Sequence, residues 1–323
     1  MKVTLPETME GKTVLVAGAA GFVPSHLSEK YLNLGAKVIG LDNFITGSQS
    51  NIDILSKYKN FEFHEVNIYK GLPDFTGVKI DYIFSMASPA SPIDFSLIPL
   101  EIMLVNSEGT YRLLELAKEK GARFLEASTS EVYGDPEVHP QVETYFGNVN
   151  PIGPRSCYDE SKRFAEAMTM SYYNKYNVDT RIIRIFNTYG PRMRPNDGRV
   201  IPNFISQAMS NEDITIYGEG LQTRSFCFVT DLVEAIHNVM FSHDETPFNI
   251  GNPDEYTIRQ CAEVIIEVLA SSSKLIYLPL PKDDPKRRRP NIDKLQQVSD
   301  YVPQISFHDG IKQTAKYFKS LIK

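Results

Sequence analysis

TVLVAGAAGFVP, Thr13 to Pro24, is the stretch on which the reading of the whole chain turns. The run TVLVA (13–17) has the β-branched, apolar composition of a buried strand, and SHLSEKYLNLG (25–35) has the spacing of a helix that stops at Gly35. Gly18 and Gly21 stand between them. Gly18 allows the tight turn after the strand, and Gly21 lets backbone approach a pyrophosphate at the helix N-terminus, where unpaired N–H groups favour an anion. Phe22 and Val23 belong to the same dinucleotide-binding loop. Pro24 stands where a third glycine is expected. In a first helical turn the missing N–H costs little and the fixed φ suits the helix, so the remaining cost is steric. The expectation is a working loop on a locally shifted helix.

Outward from the loop, KVIGLDN (37–43) reads as a second strand closing on Asp42 and Asn43. Asp42 lies at the distance beyond the glycines where a carboxylate accepts the adenosine ribose hydroxyls and repels a 2′-phosphate, which favours NAD over NADP. Further strands are expected at FEFHEVNI (61–68), DYIFSMA (81–87), RFLEAST (123–129) and TRIIRIFN (180–187). Helices are expected at IMLVNSEGTYRLLELAKEKG (102–121), closed by Gly121, and at CYDESKRFAEAMTMSYYNKY (157–176). Strand and helix in alternation predict an α/β fold, a doubly wound parallel sheet of the Rossmann type. From Gly190 the chain turns rich in Pro, Gly and Arg (GPRMRPNDGR), then mixes short strands (214–218, 247–251) with helices. The expected division is an NAD-binding unit over 1–189, with returning segments near 226–251, and a smaller, mainly substrate-binding unit over 190–323.

With 42% hydrophobic residues among 323, the chain can bury a sizeable core. A net charge of −6 leaves no basic footprint for nucleic acid. No apolar run is long enough for a membrane span, and no targeting pattern opens the chain. Three scattered cysteines and six scattered histidines suggest neither a disulfide framework nor a metal site. A cytoplasmic protein is expected.

Of 17 tyrosines only Tyr158 is followed four residues later by lysine, Lys162. Residues four apart on a helix share a face, so the lysine and a nearby nicotinamide would lower the phenol's pKa toward neutrality. Such a phenol can take a proton from a sugar hydroxyl while hydride leaves for NAD. Alone, the spacing describes an ordinary surface pair; here it follows a strand ending in Ser128-Thr129-Ser130.

GAAGFVP, Asp42 and Tyr158-x-x-x-Lys162 together resemble the extended short-chain dehydrogenase/reductases that act on nucleotide sugars. MASPASP (86–92), ASTSEVYGDPEVHPQ (127–141), NVNPIGPRSCYDESKR (148–163), RIFNTYGPRMRPNDGRV (184–200) and DDPKRRRPNI (283–292) narrow the resemblance to UDP-glucuronate decarboxylases over nearly the whole chain. The resemblance implies Tyr158 as the base at the sugar C4 hydroxyl and Lys162 as the residue that holds the nicotinamide ribose. It implies that Thr129 and Ser130 bind the reacting sugar and that Glu131 assists at the reacting carbons. Asn67, Ile68, Ala87, Ser88 and Asn106 would complete the cofactor site. Ser88, Asn187, Arg192, Arg224 and Arg288 would bind the nucleotide sugar, UDP-glucuronate. Helices 102–120 and 158–176 would form a homodimer interface, although their apolar stripes equally suit packing on their own sheet. Pro24, Asn67, Ser85 and Ser161 depart from the family pattern, and none removes a group the chemistry requires.

The implied chemistry is a temporary oxidation. Hydride loss at C4 makes the C5 carboxylate a β-keto acid; CO₂ departs, the enolate is protonated, and the returning hydride restores NAD. Thr129-Ser130-Glu131 discriminates among sister reactions. Family members that eliminate water carry an aspartic acid where Ser130 stands, a serine hydroxyl being a poor general acid, and the C4 epimerases generally lack the glutamate. A 4,6-dehydratase or C4 epimerase of the same fold remains the alternative, and a non-catalytic dinucleotide sensor a second one. Lys286-Arg287-Arg288-Arg289 reads either as a solvated basic loop or, given its flanking prolines and the resemblance, as a clamp for UDP.

Overall fold

The computed structural model describes residues 2–279 and 287–321, so Lys286 of the basic run lies outside the described residues. Successive residues of a strand face opposite sides, and in β1 (Thr13–Ala17) both sides are covered. Val14 and Val16 join one apolar cluster, Leu15 and Ala17 another, and all four are fully buried.

After β1 come α1 (Phe22–Asn33), β2 (Lys37–Asp42), α2 (Gln49–Leu55) and β3 (Phe61–Glu65). Then follow β4 (Tyr82–Ser85), α3 (Pro92–Leu97), α4 (Pro99–Leu104), a π-helical turn at Val105–Gly109 and α5 (Thr110–Lys120). β5 (Arg123–Thr129) runs into a 3₁₀ turn at Ser130–Tyr133, and α6 (Ser156–Tyr176) leads back to β6 (Thr180–Ile185). The second half holds β7 (Thr188–Tyr189), α7 (Val200–Met209), β8 (Ile214–Tyr217), β9 (Thr223–Ser225), β10 (Cys227–Phe228), α8 (Val229–Met240) and β11 (Phe248–Ile250). β12 (Glu255–Thr257), α9 (Ile258–Leu269), β13 (Leu275–Leu278), β14 (Arg287–Arg288), α10 (Asp293–Val298) and α11 (Phe307–Leu321) follow.

Seven strands form one sheet in the order β3-β2-β1-β4-β5-β6-β11, every pair parallel. This is the expected doubly wound α/β architecture. Strand order reverses between β1 and β4, which opens a crevice at their carboxyl ends. β11 reaches the sheet from far down the chain and pairs with β6, while α8 packs on α1. β9, β12 and β14 make a separate three-stranded sheet near that crevice. One apolar cluster runs from Val14 through α8 to Phe318 of α11, so the two halves of the chain share a core.

Two helices differ from expectation at their starts. The helix expected from 102 begins at Pro99, because proline at a first helical position loses only an N–H that has no partner anyway. Gly121, at φ +62°, ends it as expected. α1 begins at Phe22, ahead of the expected Ser25, and runs unbroken through Pro24: Ser25 N–H already closes on Gly21 O at 3.2 Å. α6 is fixed in rotation by Glu166, which accepts a guanidinium fork from Arg184 of β6 (2.9 and 2.8 Å) and the Ser128 hydroxyl (2.6 Å).

Candidate active site

Backbone conformation builds one end of the crevice. Gly18 has φ +86°, and a Cβ there would lie 2.9 Å from Ala87 Cα, so only glycine lets the loop after β1 meet the chain leaving β4. A Cβ at Gly21 would lie 3.0 Å from Gly18 O and 3.1 Å from Pro24 Cγ, so the proline ring packs against the loop. Gly21 caps α1 without a side chain over the helix end, which leaves first-turn N–H groups for a diphosphate. At the end of β2, Asp42 Oδ2 accepts from Ala20 N–H (3.0 Å) and Oδ1 from Phe44 N–H (2.7 Å). Burial raises its carboxyl above the ordinary value while these N–H groups oppose the rise. Each oxygen keeps a lone pair for a ribose hydroxyl.

Phe22, Val23, Asn43, Asn67, Ile68, Ala87 and Ser88 line the same cleft of about 660 Å³. Asn106 is buried behind the wall and donates to Ser88 Oγ (3.1 Å) and Ser161 Oγ (3.0 Å), so it supports the site through Ser88. Ser161, where a glycine is common, also donates to Tyr158 O (3.1 Å). That departure is absorbed into the hydrogen bonding around Tyr158.

Tyr158 and Lys162 share the expected face of α6, and both line the cleft. The Tyr158 ring stacks on Phe95 of α3 (centroids 5.1 Å apart, 17° between planes). Burial pushes its phenol well above the ordinary value; the Thr129 side chain opposes this, Glu131 adds to it and Arg199 opposes it. The expected lowering by Lys162 is not what this arrangement produces. The Lys162 ammonium is instead engaged by Glu126 Oε1 (3.2 Å) and Ala127 O (2.7 Å) of β5, and a carboxylate beside it offsets its charge.

Charged side chains build the other end. Thr129 Oγ1 accepts Glu131 N–H (3.2 Å) and so turns β5 into the 3₁₀ turn that presents Ser130 and Glu131. Glu131 is gripped by Arg155 Nη2 (2.6 Å) and by Arg288 Nη1, whose Nη2 donates to Gly134 O (3.1 Å). Burial alone would raise the Glu131 carboxyl, but the Arg288 and Arg155 guanidiniums hold it well below the usual carboxylate range. Neighbouring Asp159 goes the opposite way: burial and Glu131 raise it to about 7 against Arg155 and Arg288.

Asn187 and Arg224 line the cleft near this cluster; Asn187 Nδ2 is buried without a partner among the described residues, a donor left for a ligand. Arg224 Nη1 donates to Thr223 O at 2.8 Å. Arg192, at φ +69°, lines the cleft and is ion-paired with Glu29 of α1. Of the basic run, Arg287 is exposed, Arg288 is buried against Glu131, and Arg289 N–H bonds Gln141 Oε1 (2.9 Å).

Residues 14–251 match the NAD dependent epimerase/dehydratase family. The chain belongs to that family. Within it, UDP-glucuronic acid decarboxylase 1 of Danio rerio is 46% identical over 307 residues, 95% of this chain and 72% of its own. UDP-glucuronic acid decarboxylase 4 of Arabidopsis thaliana is 46% identical over 309 residues, 96% of this chain and 69% of its own. Among solved structures, UDP-glucuronic acid 4-epimerase from Bacillus cereus, in complex with UDP-glucuronic acid and NAD, superposes with a TM-score of 0.85 at 27% identity, covering 96% of this chain and 99% of that one. NAD is the cofactor of this family, and the glycine loop and Asp42 suit it.

Sequence reading missed Glu126, Arg155, Asp159 and Arg199. Glu126 carried a signal, a charge flanked by Phe124, Leu125 and Ala127 within the strand RFLEAST. Arg155 sits in a Pro- and Gly-rich turn, Asp159 beside Tyr158 and Arg199 after the Pro- and Gly-rich stretch from Gly190; nothing in their spacing marked them.

Proposed function

We propose that the protein decarboxylates UDP-glucuronate to UDP-xylose with NAD held between Gly18, Gly21, Asp42 and Lys162. The observation that carries this is the sugar end of the cleft. Glu131 is an anion set between two guanidiniums, and serine stands beside it where a dehydration needs an acid. NAD, when bound, supplies the acceptor and later the donor of the C4 hydride. With the positive charge of NAD⁺ beside it to lower the phenol, Tyr158 Oη would remove the C4 hydroxyl proton at the start and return it at the end. Between those steps, its O–H and the Thr129 hydroxyl donate to the C4 oxygen, which gathers charge as the C5 carboxylate leaves as CO₂. Arg288 anchors the sugar end and keeps Glu131 ionised; Asn187 and Arg224 hold the diphosphate. The likeness to a UDP-glucuronic acid 4-epimerase favours a second reading, inversion at C4 with the carboxylate kept.

Purified protein with UDP-glucuronate and NAD⁺, followed by NMR, separates these readings. UDP-xylose and CO₂ without net NADH are expected, and Tyr158→Phe lowers the rate by about 10²- to 10⁴-fold. UDP-galacturonate without CO₂ would replace the first reading by the second, and bound NAD without any turnover would leave a dinucleotide sensor.

The cofactor unit of 1–189, with 226–251 returning to it, and a substrate unit over 190–323 form part of this reading, as do a cytoplasmic setting for the three free cysteines and a homodimer. Leu100, Met103 and Leu104 of α4 and Phe164 and Tyr176 of α6 are exposed apolar side chains on helices that pack together. A second copy would cover them. Light scattering at the monomer mass would remove the dimer from the proposal. Among the described residues no helix is long and apolar enough to cross a membrane.

A further inference from the structure

We propose that Glu126 is a positioning residue for Lys162. It fixes the lysine's ammonium from beneath the cleft, so that one N–H is aimed at the nicotinamide ribose. The inference rests on the reading of Lys162 given above.

Glu126 lies in β5, opposite Ser85 of β4 and Ile182 of β6, in the middle of the sheet, and is fully buried. Phe124 and Leu125 before it and Ala127 after it are buried apolar residues. A carboxylate in such a place is desolvated on all sides, and an apolar side chain would fill the position more favourably. Its polar contacts are correspondingly narrow. Oε1 receives the Lys162 ammonium at 3.2 Å, and Oε2 has no hydrogen-bond partner among the described residues. The contrast with Glu166, four residues after Lys162 on α6, is informative. That carboxylate spends both oxygens on Arg184 and takes the Ser128 hydroxyl as well, a network that ties helix to sheet. Among the described residues the Glu126 carboxylate holds only Lys162.

An ammonium has three donors in tetrahedral arrangement. Glu126 Oε1 and Ala127 O take two from the β5 side, and Lys162 lines the cleft, so the third points to the ligand side. With one carbonyl alone the four-carbon stem could pivot about that single bond. Two acceptors on one strand set both the position and the rotation of the head group.

The test is a cycle of Glu126→Leu, Glu126→Gln and Lys162→Met with their combinations, read as NAD⁺ dissociation constants by calorimetry and as kcat and KM for UDP-glucuronate. Glu126→Leu is expected to lower kcat by about 10- to 100-fold with KM for the sugar nucleotide within about threefold, and to weaken NAD⁺ binding. Glu126→Gln, whose amide oxygen accepts in the same place, recovers most of both. In the Lys162→Met background Glu126→Leu has no further effect on NAD⁺ affinity. Wild-type kinetics in Glu126→Leu, or a loss that persists undiminished without the lysine, overturns the proposal. If Glu126→Leu does not fold, a folded but inactive Glu126→Gln overturns it equally. Wild-type protein that leaves UDP-glucuronate untouched would sink the function proposed above, while the NAD⁺ cycle would still decide the Glu126–Lys162 coupling.

Discussion

The two ends of the cleft are built from different materials. At the cofactor end the groups that meet a ligand are mostly backbone: a positive-φ glycine, a helix N-terminus without a covering side chain, and a carboxylate held by two N–H groups of its own neighbourhood. At the sugar end they are charged side chains, with Glu131, Arg155, Asp159 and Arg288 drawn from a turn, a helix and a distant short strand. Backbone sites tolerate change in the side chains around them. A charge cluster does not, because each member is buried at the expense of its hydration and relies on its partners.

Breaking the cluster should therefore cost most. Arg288→Ala removes one of the two guanidiniums on Glu131 and a ligand at the sugar end, and kcat/KM should fall by about 100-fold or more, roughly 3 kcal/mol of transition-state stabilisation. A loss under tenfold, measured in the same NMR assay, would show that Arg155 alone sustains the site.

A smaller effect sharpens the contrast through pH. Asp159 is raised to about 7 in the fold, whereas an unfolded aspartate titrates near 4. A raised acid favours the folded state fully only below its unfolded pKa, and that contribution drains away as pH rises through the folded value. The melting temperature of Asp159→Asn should accordingly gain on wild type between pH 5 and 7 and hold a constant lead above. Parallel melting curves across that range would mean that the cluster relaxes around the carboxylate.

Pro24→Gly should do least. The ring already fits the first turn of α1 and packs on Gly21, so NAD⁺ affinity is expected to change by less than about threefold, with stability falling by up to about 1 kcal/mol from the freer unfolded chain. A large gain in affinity would show that the ring obstructs the diphosphate.

The same division explains what could be read in advance. The loop, Asp42, the Tyr158–Lys162 spacing and the parallel sheet were legible because strand, turn and helix are local patterns, each set by a few consecutive residues. The helix start at Pro99 was missed although it too is local, since proline at a first helical position loses only an N–H that has no partner. Lys162 shares the expected face with Tyr158, but its ammonium meets Glu126 of β5. Nothing within one helix reveals that a strand 36 residues earlier presents a carboxylate to the ammonium.

What the sequence determined by itself, then, is the α/β sheet, the dinucleotide loop and the helix bearing Tyr158 and Lys162, since backbone preference and apolar periodicity act over a few residues. Only the tertiary structure decided which charges meet. Glu126 with Lys162, Arg192 with Glu29 and Arg288 with Glu131 are separated by 36, 163 and 157 residues, and their pairing depends on how the sheet and its helices bring those segments together in a poorly solvated interior.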